Sequence, residues 1–321
     1  MKKLQEIPPY ICNEGEESYV IYSDTDSIYI HAHPLLKHKY PNFDELPDKE
    51  KDNKLEEVAL EYQDLITDHY NTVAKDVFNI QEDYDWSKEN EPLHRLEMKT
   101  ECVIRSAYFR ATRRYAQWIT KQEGLEKETL DIKGLEFMKT NFPKVFNDFF
   151  YDILQRILKG EGQQSILDDV IKFKNDILKG YISVDKLGNP TSVKGLENYT
   201  GRSTGSKCFT ETKKGSPASY RAAIYYNDLL RIGGLDIKHE LITNGSKIKW
   251  VYLTSNPYGI EVLAFTHSNT PPKVLDFINK FADRERIYKT ILENKLEGLF
   301  SDLGWVLNTN QQLFDFFSYK K

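Results

Sequence analysis

Cysteine is scarce: three residues in 321, Cys12, Cys102 and Cys208, with no CxxC pair among them. That excludes a zinc knuckle and a disulfide framework, and makes a reducing cytoplasm the expected compartment. No run approaches the roughly eighteen apolar residues that a membrane-crossing helix needs. The opening MKKLQEIPPYICNEGEE sets prolines and acids where a secretory signal carries its apolar stretch. The chain is therefore expected neither to cross a membrane nor to leave the cell. Internal repeats and low-complexity tracts are missing too. Nor is there a large excess of charge: 44 Lys+Arg against 49 Asp+Glu leave a net −5, which as a total argues against a chain that lives on a polyanion. What is plentiful is core material. Forty per cent of the residues are hydrophobic, with 20 Tyr and 17 Phe, enough for two domains.

The even total conceals uneven blocks. From Pro41 to Glu91 sixteen acids face five lysines, about 11 net negative charges, and this face should avoid phosphate. Within the block Leu55, Val58, Tyr62, Leu65, Ile66, Tyr70 and Val73 recur at three- and four-residue steps, predicting one long amphipathic helix with an acidic outer face. From Met98 to Lys121 the sign reverses, six bases outweighing the lone Glu101. From Lys194 to Lys238 eight bases outweigh four acids.

SYVIYSDTDSIYIHA predicts a hairpin, with short β-runs Tyr19 to Tyr22 and Ile28 to Ile30 around a polar centre. The stretch from His94 to Gly124 reads as a second strand pair. At Pro143 the period turns helical and runs to a stop at Gly160, and a second helix spans Ser165 to Lys179 before Gly180. Residues 181–220 read as a long irregular segment, of a length that compact domains keep for function. Short strands near Ile248 to Leu253 and Glu261 to Phe265 follow, then a helix from Pro272 to about Phe300. The fold class is α+β.

Asp24 and Asp26 carry the clearest chemistry. Two carboxylates two apart on a strand, or at a tight turn, can share a hard divalent cation. The same Asp-Thr-Asp-Ser is also good turn chemistry by itself.

The surrounding residues widen the reading. YSDTDSIYI resembles the YGDTDSIY motif of the palm hairpin in family B DNA polymerases, and TRRYAQWI, DIKGLE, PKVFNDFFYDILQRIL, SKCFTETKKGSPASYRAAIYYNDLL and INKFADRERIYKTILENKLEGLF resemble later family segments in the family's order. Within the family the likeness is to the replicative enzymes of T-even bacteriophages. The resemblance implies a partial palm over residues 1–140, antiparallel strands with a long helix, then a mostly helical thumb over 141–308 and a clamp-binding tail over 309–321. It implies template-directed nucleotidyl transfer with two Mg²⁺ ions. Asp26 matches the principal metal-binding aspartate and Asp24 its companion, while Glu101 falls near a further palm carboxylate; a salt bridge from Glu101 to Arg105 or Lys99 is the alternative. Arg113, Arg114 and Tyr115 fall on the family's Lys-x-Tyr segment, where a cation and a phenol touch the minor-groove edge of the primer end. Arg stands for Lys there, which keeps the charge but not the shape. Lys133, Lys207, Lys213, Lys214 and Arg221 match positions that grip the duplex. Leu313, Phe314, Phe316 and Phe317 match a sliding-clamp ligand, with an apolar tail folded onto its own thumb as the alternative.

The family's upstream palm aspartate, its fingers lysine and its exonuclease carboxylates are not found. The resemblance thus implies the C-terminal part of a split polymerase, inactive without an N-terminal chain. Its expected partners are that chain, primer-template DNA, deoxynucleoside triphosphates and a sliding clamp, in the cytoplasm of an infected bacterium. A non-catalytic module that binds duplex DNA and a clamp is the other reading.

Overall fold

The computed structural model describes residues 19–78, 97–135, 142–201, 209–266 and 269–306. The chain divides into two compact units, Met1–Gly134 and Leu135–Lys321. It is α+β, and every strand among the described residues pairs antiparallel.

In the first unit the hairpin pairs β1 (Val20–Asp24) with β2 (Ser27–Ile30), Asp24 opposite Ser27. Thr25 and Asp26 form the two-residue turn, and Thr25 takes a left-handed φ of 41°. A β-branched residue resists that conformation, so the turn carries local strain. Ser27 Oγ offsets part of it by donating to the Asp24 carbonyl at 3.2 Å. After α1 (His33–Lys39), the predicted long helix appears as α2 (Asp48–Phe78), 31 residues. Leu35, Leu36, Phe43, Val58, Tyr62 and Tyr19 form a common core under the hairpin.

The second sheet has three strands rather than two: β3 (Cys102–Ala111), β4 (Arg114–Gln122) and β5 (Leu125–Lys133). Strand β5 has no alternating apolar pattern to announce it, because its first four residues, Leu125 to Glu128, are all exposed and only Leu130 is buried. The β4–β5 turn, Glu123-Gly124, is left-handed at both positions, as a tight type I′ hairpin requires.

The expected acidic outer face of α2 needs correction. Asp48, Asp52 and Glu56 stand at i, i+4 and i+8, one stripe of the helix, and that stripe faces the sheet. Arg105 donates to Asp48 at 2.8 Å and to Asp52 at 2.5 Å, and Lys121 donates to Glu56 at 2.5 Å and to Asn53 at 2.7 Å. Two of the six bases of the 98–121 block are thus spent inside the unit. Arg110, Arg113 and Arg114 remain at the surface.

The second unit opens with α3 (Lys144–Leu158) and α4 (Gln163–Leu178), whose buried Phe146, Phe150, Ile153, Leu154, Ile166 and Val170 sit at the expected helical spacing. Residues 181–220 are less irregular than predicted: α5 (Val184–Leu187) and β6 (Asn189–Ser192) interrupt them, and α6 (Ala218–Ile232) begins before they end. β6 pairs with β7 (Lys247–Tyr252), which pairs with β8 (Val262–Phe265). The single helix expected from Pro272 is broken into α7 (Pro272–Phe281), α8 (Arg284–Tyr288), a π turn at Lys289–Glu293 and α9 (Asn294–Asp302). The break at Ala282–Asp283 is set by two bonds to the end of β7 and by a cap. The Phe281 carbonyl accepts from Thr254 N, Asp283 N donates to the Tyr252 carbonyl, and the Asp283 side chain caps α8 by accepting from Arg286 N at 2.9 Å.

Arg156 is the polar hub of the α3–α4 corner, donating to Glu161 at 2.6 and 2.7 Å and to Asp169 at 2.6 Å. These bonds, with one from Ser165, hold the Glu161 carboxyl at about 2, below its usual 4.5. A carboxyl depressed in the folded state stabilises above its unfolded value and loses that contribution as the pH falls. Glu161→Gln should therefore destabilise at pH 7, less below about pH 4.5, and not at all well below pH 2. Denaturant unfolding of both proteins across that range reads the effect. A constant difference between them would contradict it.

Among the described residues no helix is long and apolar enough to cross a membrane.

Candidate nucleic-acid interface

Two turns of the first unit meet. The β1–β2 tip carries Asp24 and Asp26, and the β3–β4 turn, Thr112-Arg113, carries the exposed cations. Arg113 donates from Nε to Asp24 Oδ2 at 2.9 Å and from Nη2 to Asp24 Oδ1 at 2.8 Å, a bidentate pair. The Arg113 backbone N–H donates to Tyr22 Oη at 3.0 Å. The guanidinium holds the Asp24 carboxyl below the ordinary carboxylate range. Arg113 is nonetheless 70% exposed at its side chain, so this contact aims the guanidinium without burying it.

Arg113 takes a left-handed φ of 59°, and Gly134 lies against it. A Cβ on Gly134 would stand 2.0 Å from the Arg113 carbonyl oxygen, and Gly134 is itself left-handed at 63°. Only glycine meets both demands. The Gly of the DIKGLE segment is thereby given a structural task.

Tyr115, two residues on, sits in an aromatic cluster with Tyr22, Tyr29 and Phe109, ring centroids 5.3 to 5.9 Å apart. Tyr29 Oη donates to Tyr115 Oη at 3.1 Å. Lys133, on β5, lies in register opposite Tyr115 and within 3.8 Å of Asp131. The structure thus gathers Asp24, Arg113, Tyr115 and Lys133, with Asp26 and Arg114 exposed beside them. Tyr22 and Tyr29 escaped the sequence reading. Their signal was their symmetric placement around the acidic tip, which makes them cross-strand partners.

Glu101 lines the same open cleft as Asp26, Tyr29, Tyr115 and Lys133. It is exposed, its carbonyl accepts from Glu123 N, and its expected alternative partner Arg105 is engaged by Asp48 and Asp52. Among the described residues no three His, Cys, Asp or Glu side chains come together to hold a metal ion. With Asp24 engaged by Arg113, Asp26 is the carboxylate the tip offers outward. Mg²⁺ is commonly held by one or two carboxylates with waters completing its shell, and Asp26 is a donor of that kind.

Between the hairpin, α2 and the three-stranded sheet lies an open cleft of about 1450 Å³, lined by residues including Ile21, Ile28, Tyr29, Met98, Ile104 and Tyr115.

In the second unit Lys213 and Lys214 are exposed on a turn that closes through Gly215 at φ 83°, with Ser216 N and Oγ donating to the Lys213 carbonyl. Arg221 stands differently. It is half-buried and donates to Glu261 at 2.6 Å, so its charge is already countered. Lys207 and the tail residues Leu313, Phe314, Phe316 and Phe317 lie outside the described residues.

No family model matches the chain. A curated relative does: a DNA-directed DNA polymerase of Escherichia phage RB69, 23% identical over 337 aligned residues that include 99% of this chain. The chain spans about a third of that protein's length, 34%. Along nearly all of its length, then, this α+β chain is similar to part of a phage DNA polymerase.

Proposed function

We propose that the chain is the C-terminal part of a family B DNA polymerase and works with a separate N-terminal chain. The observation that carries this is the likeness to a polymerase along 99% of the chain, coinciding with a structure that joins the acidic hairpin to the Arg113–Tyr115 turn. The first unit is read as palm and the second as thumb. Together the two chains add deoxynucleotides to a primer 3′-OH and release pyrophosphate.

Asp26 supplies one carboxylate toward the two Mg²⁺ ions of that reaction, and the partner chain supplies further ligands. Asp24 serves by aiming Arg113. Arg113 and Tyr115 face the minor-groove edge of the primer end, where acceptors common to all base pairs let a donor sense pairing without reading sequence. Arg114, Lys133, Lys213 and Lys214 contact phosphates, with Lys207 as a further contact in the thumb. Phosphate contacts hold register and carry no sequence information. The cleft beside the hairpin has room for the palm segments of the partner. Leu313, Phe314, Phe316 and Phe317 engage a sliding clamp.

Fluorescence anisotropy with a recessed primer-template tests the DNA-binding part of this reading. The chain alone should bind duplex regardless of sequence, with log K falling against log salt at a slope of about −4, as expected for four or five phosphate contacts. It should extend no primer. Failure to bind at low salt, or cleavage of the DNA by this chain alone with Mn²⁺, would contradict the proposal.

A further inference from the structure

The hairpin does more than carry the two aspartates. Tyr22 and Tyr29 are directly opposed across β1 and β2, and each sends its hydroxyl to the neighbouring β3–β4 hairpin. Tyr22 Oη accepts the Arg113 N–H at 3.0 Å, and Tyr29 Oη donates to Tyr115 Oη at 3.1 Å. We infer that Tyr22 and Tyr29 are positioning residues, which set the place of Arg113 and the hydrogen-bonding polarity of Tyr115. The inference rests on the reading of Arg113 and Tyr115 as contacts to the primer end.

Its physical content is a matter of protons. A phenol is at once donor and acceptor, and a free Tyr115 could offer either to a ligand. The minor groove presents acceptors common to every base pair, so only a donor serves there at all four. When Tyr29 donates to Tyr115, a Tyr115 lone pair is occupied and its own O–H is left to point elsewhere. Among the described residues that proton has no partner. Burial, first, and the bond to Tyr115 push the Tyr29 phenol well above its ordinary value. The rings of Tyr22, Tyr29 and Phe109 confine Tyr115 laterally. Tyr22 meanwhile fixes the backbone of Arg113, while Asp24 fixes its guanidinium.

The experiment measures affinities of the full chain for a recessed primer-template whose 3′ terminus is either paired or mismatched. Wild type should prefer the paired end. Tyr29→Phe keeps the ring and loses only the hydroxyl, and it should shrink that preference by about five-fold, the value of one hydrogen bond. Affinity for fully duplex DNA should stay unchanged. Tyr22→Phe should act in the same direction through Arg113. Because Tyr29 works through Tyr115, the double variant Tyr29→Phe/Tyr115→Phe should be no worse than Tyr115→Phe alone. Equal weakening at paired and mismatched ends, or additive losses in the double variant, would reduce Tyr29 to a packing residue and overturn the inference. The inference also fails if both Phe variants bind DNA and retain the full preference; the DNA-binding proposal then still stands. A wild-type chain that binds DNA but shows no preference overturns both the inference and the primer-end roles of Arg113 and Tyr115.

Discussion

Gly134→Ala should lower the thermal midpoint of the first unit by roughly 10 °C. Two costs combine at this position. An alanine at φ 63° costs about 1–2 kcal/mol in the left-handed region. Its Cβ, 2.0 Å from the Arg113 carbonyl oxygen, meets backbone that no side-chain rotation can clear. Relieving such overpacking adds about 1–3 kcal/mol. Moving Arg113 to relieve the contact would break its bonds to Asp24 and Tyr22. The variant should therefore also lose preference for a paired primer end, even where it remains folded. A melting curve within a degree or two of wild type would show that the approach of Gly134 to Arg113 is not as described. Gly160→Ala serves as the contrast: that glycine is also left-handed, at 84°, but nothing lies within 4 Å of its would-be Cβ. It should show the backbone cost alone.

Asp26→Ala should reduce nucleotide incorporation by the reconstituted two-chain enzyme roughly a thousand-fold or more, the scale on which removal of a charge-stabilising group at a reacting centre is felt. Asp24→Asn should cost less, about ten- to a hundred-fold, since the substituted amide could still accept one of the two guanidinium bonds while losing the charge that strengthens them. The two aspartates share a tetrapeptide but not a surrounding. Asp24 is 34% exposed and held by Arg113, whereas Asp26 stands exposed at the tip. Equal losses in the two variants would contradict this division of tasks. Arg113→Lys would separate it further, because a lysine keeps the charge near Asp24 without the bidentate fork.

Periodicity made the long helix, the first hairpin, α3 and α4 legible, because each shows its apolar residues at a single spacing. Strand β5 was illegible for the opposite reason: its exposed Glu126, Lys127 and Glu128 carry no apolar alternation, and its place is fixed by register with β4. Helix α6 was not expected at all, its start lying inside a Gly- and Lys-rich stretch. The break at Ala282–Asp283 depends on backbone bonds to Tyr252 and Thr254, far back along the chain, which no local pattern announces. At the site, Asp24 and Asp26 could be picked out from their spacing and from the family motif around them. The bond from Arg113 to Asp24 could not, since 89 residues separate the two. Nor could the inward turn of Asp48, Asp52 and Glu56, which changes how the charges are distributed. The net −5 and the acidic helix suggested repulsion from phosphate, yet the inner acids of α2 engage Arg105 and Lys121, while Arg113 and Arg114 stand exposed at the β3–β4 turn.

Primer extension by two separately purified chains is the most direct measurement. One is this chain; the other carries the upstream two thirds that complete a polymerase of the length of its phage relative. Neither alone should add a nucleotide, and the mixture should extend a primer in a template-directed manner that requires Asp26. Extension undiminished by Asp26→Ala, or a mixture that associates and binds primer-template but adds no nucleotide, would contradict the assignment of this chain as the C-terminal part of a DNA polymerase.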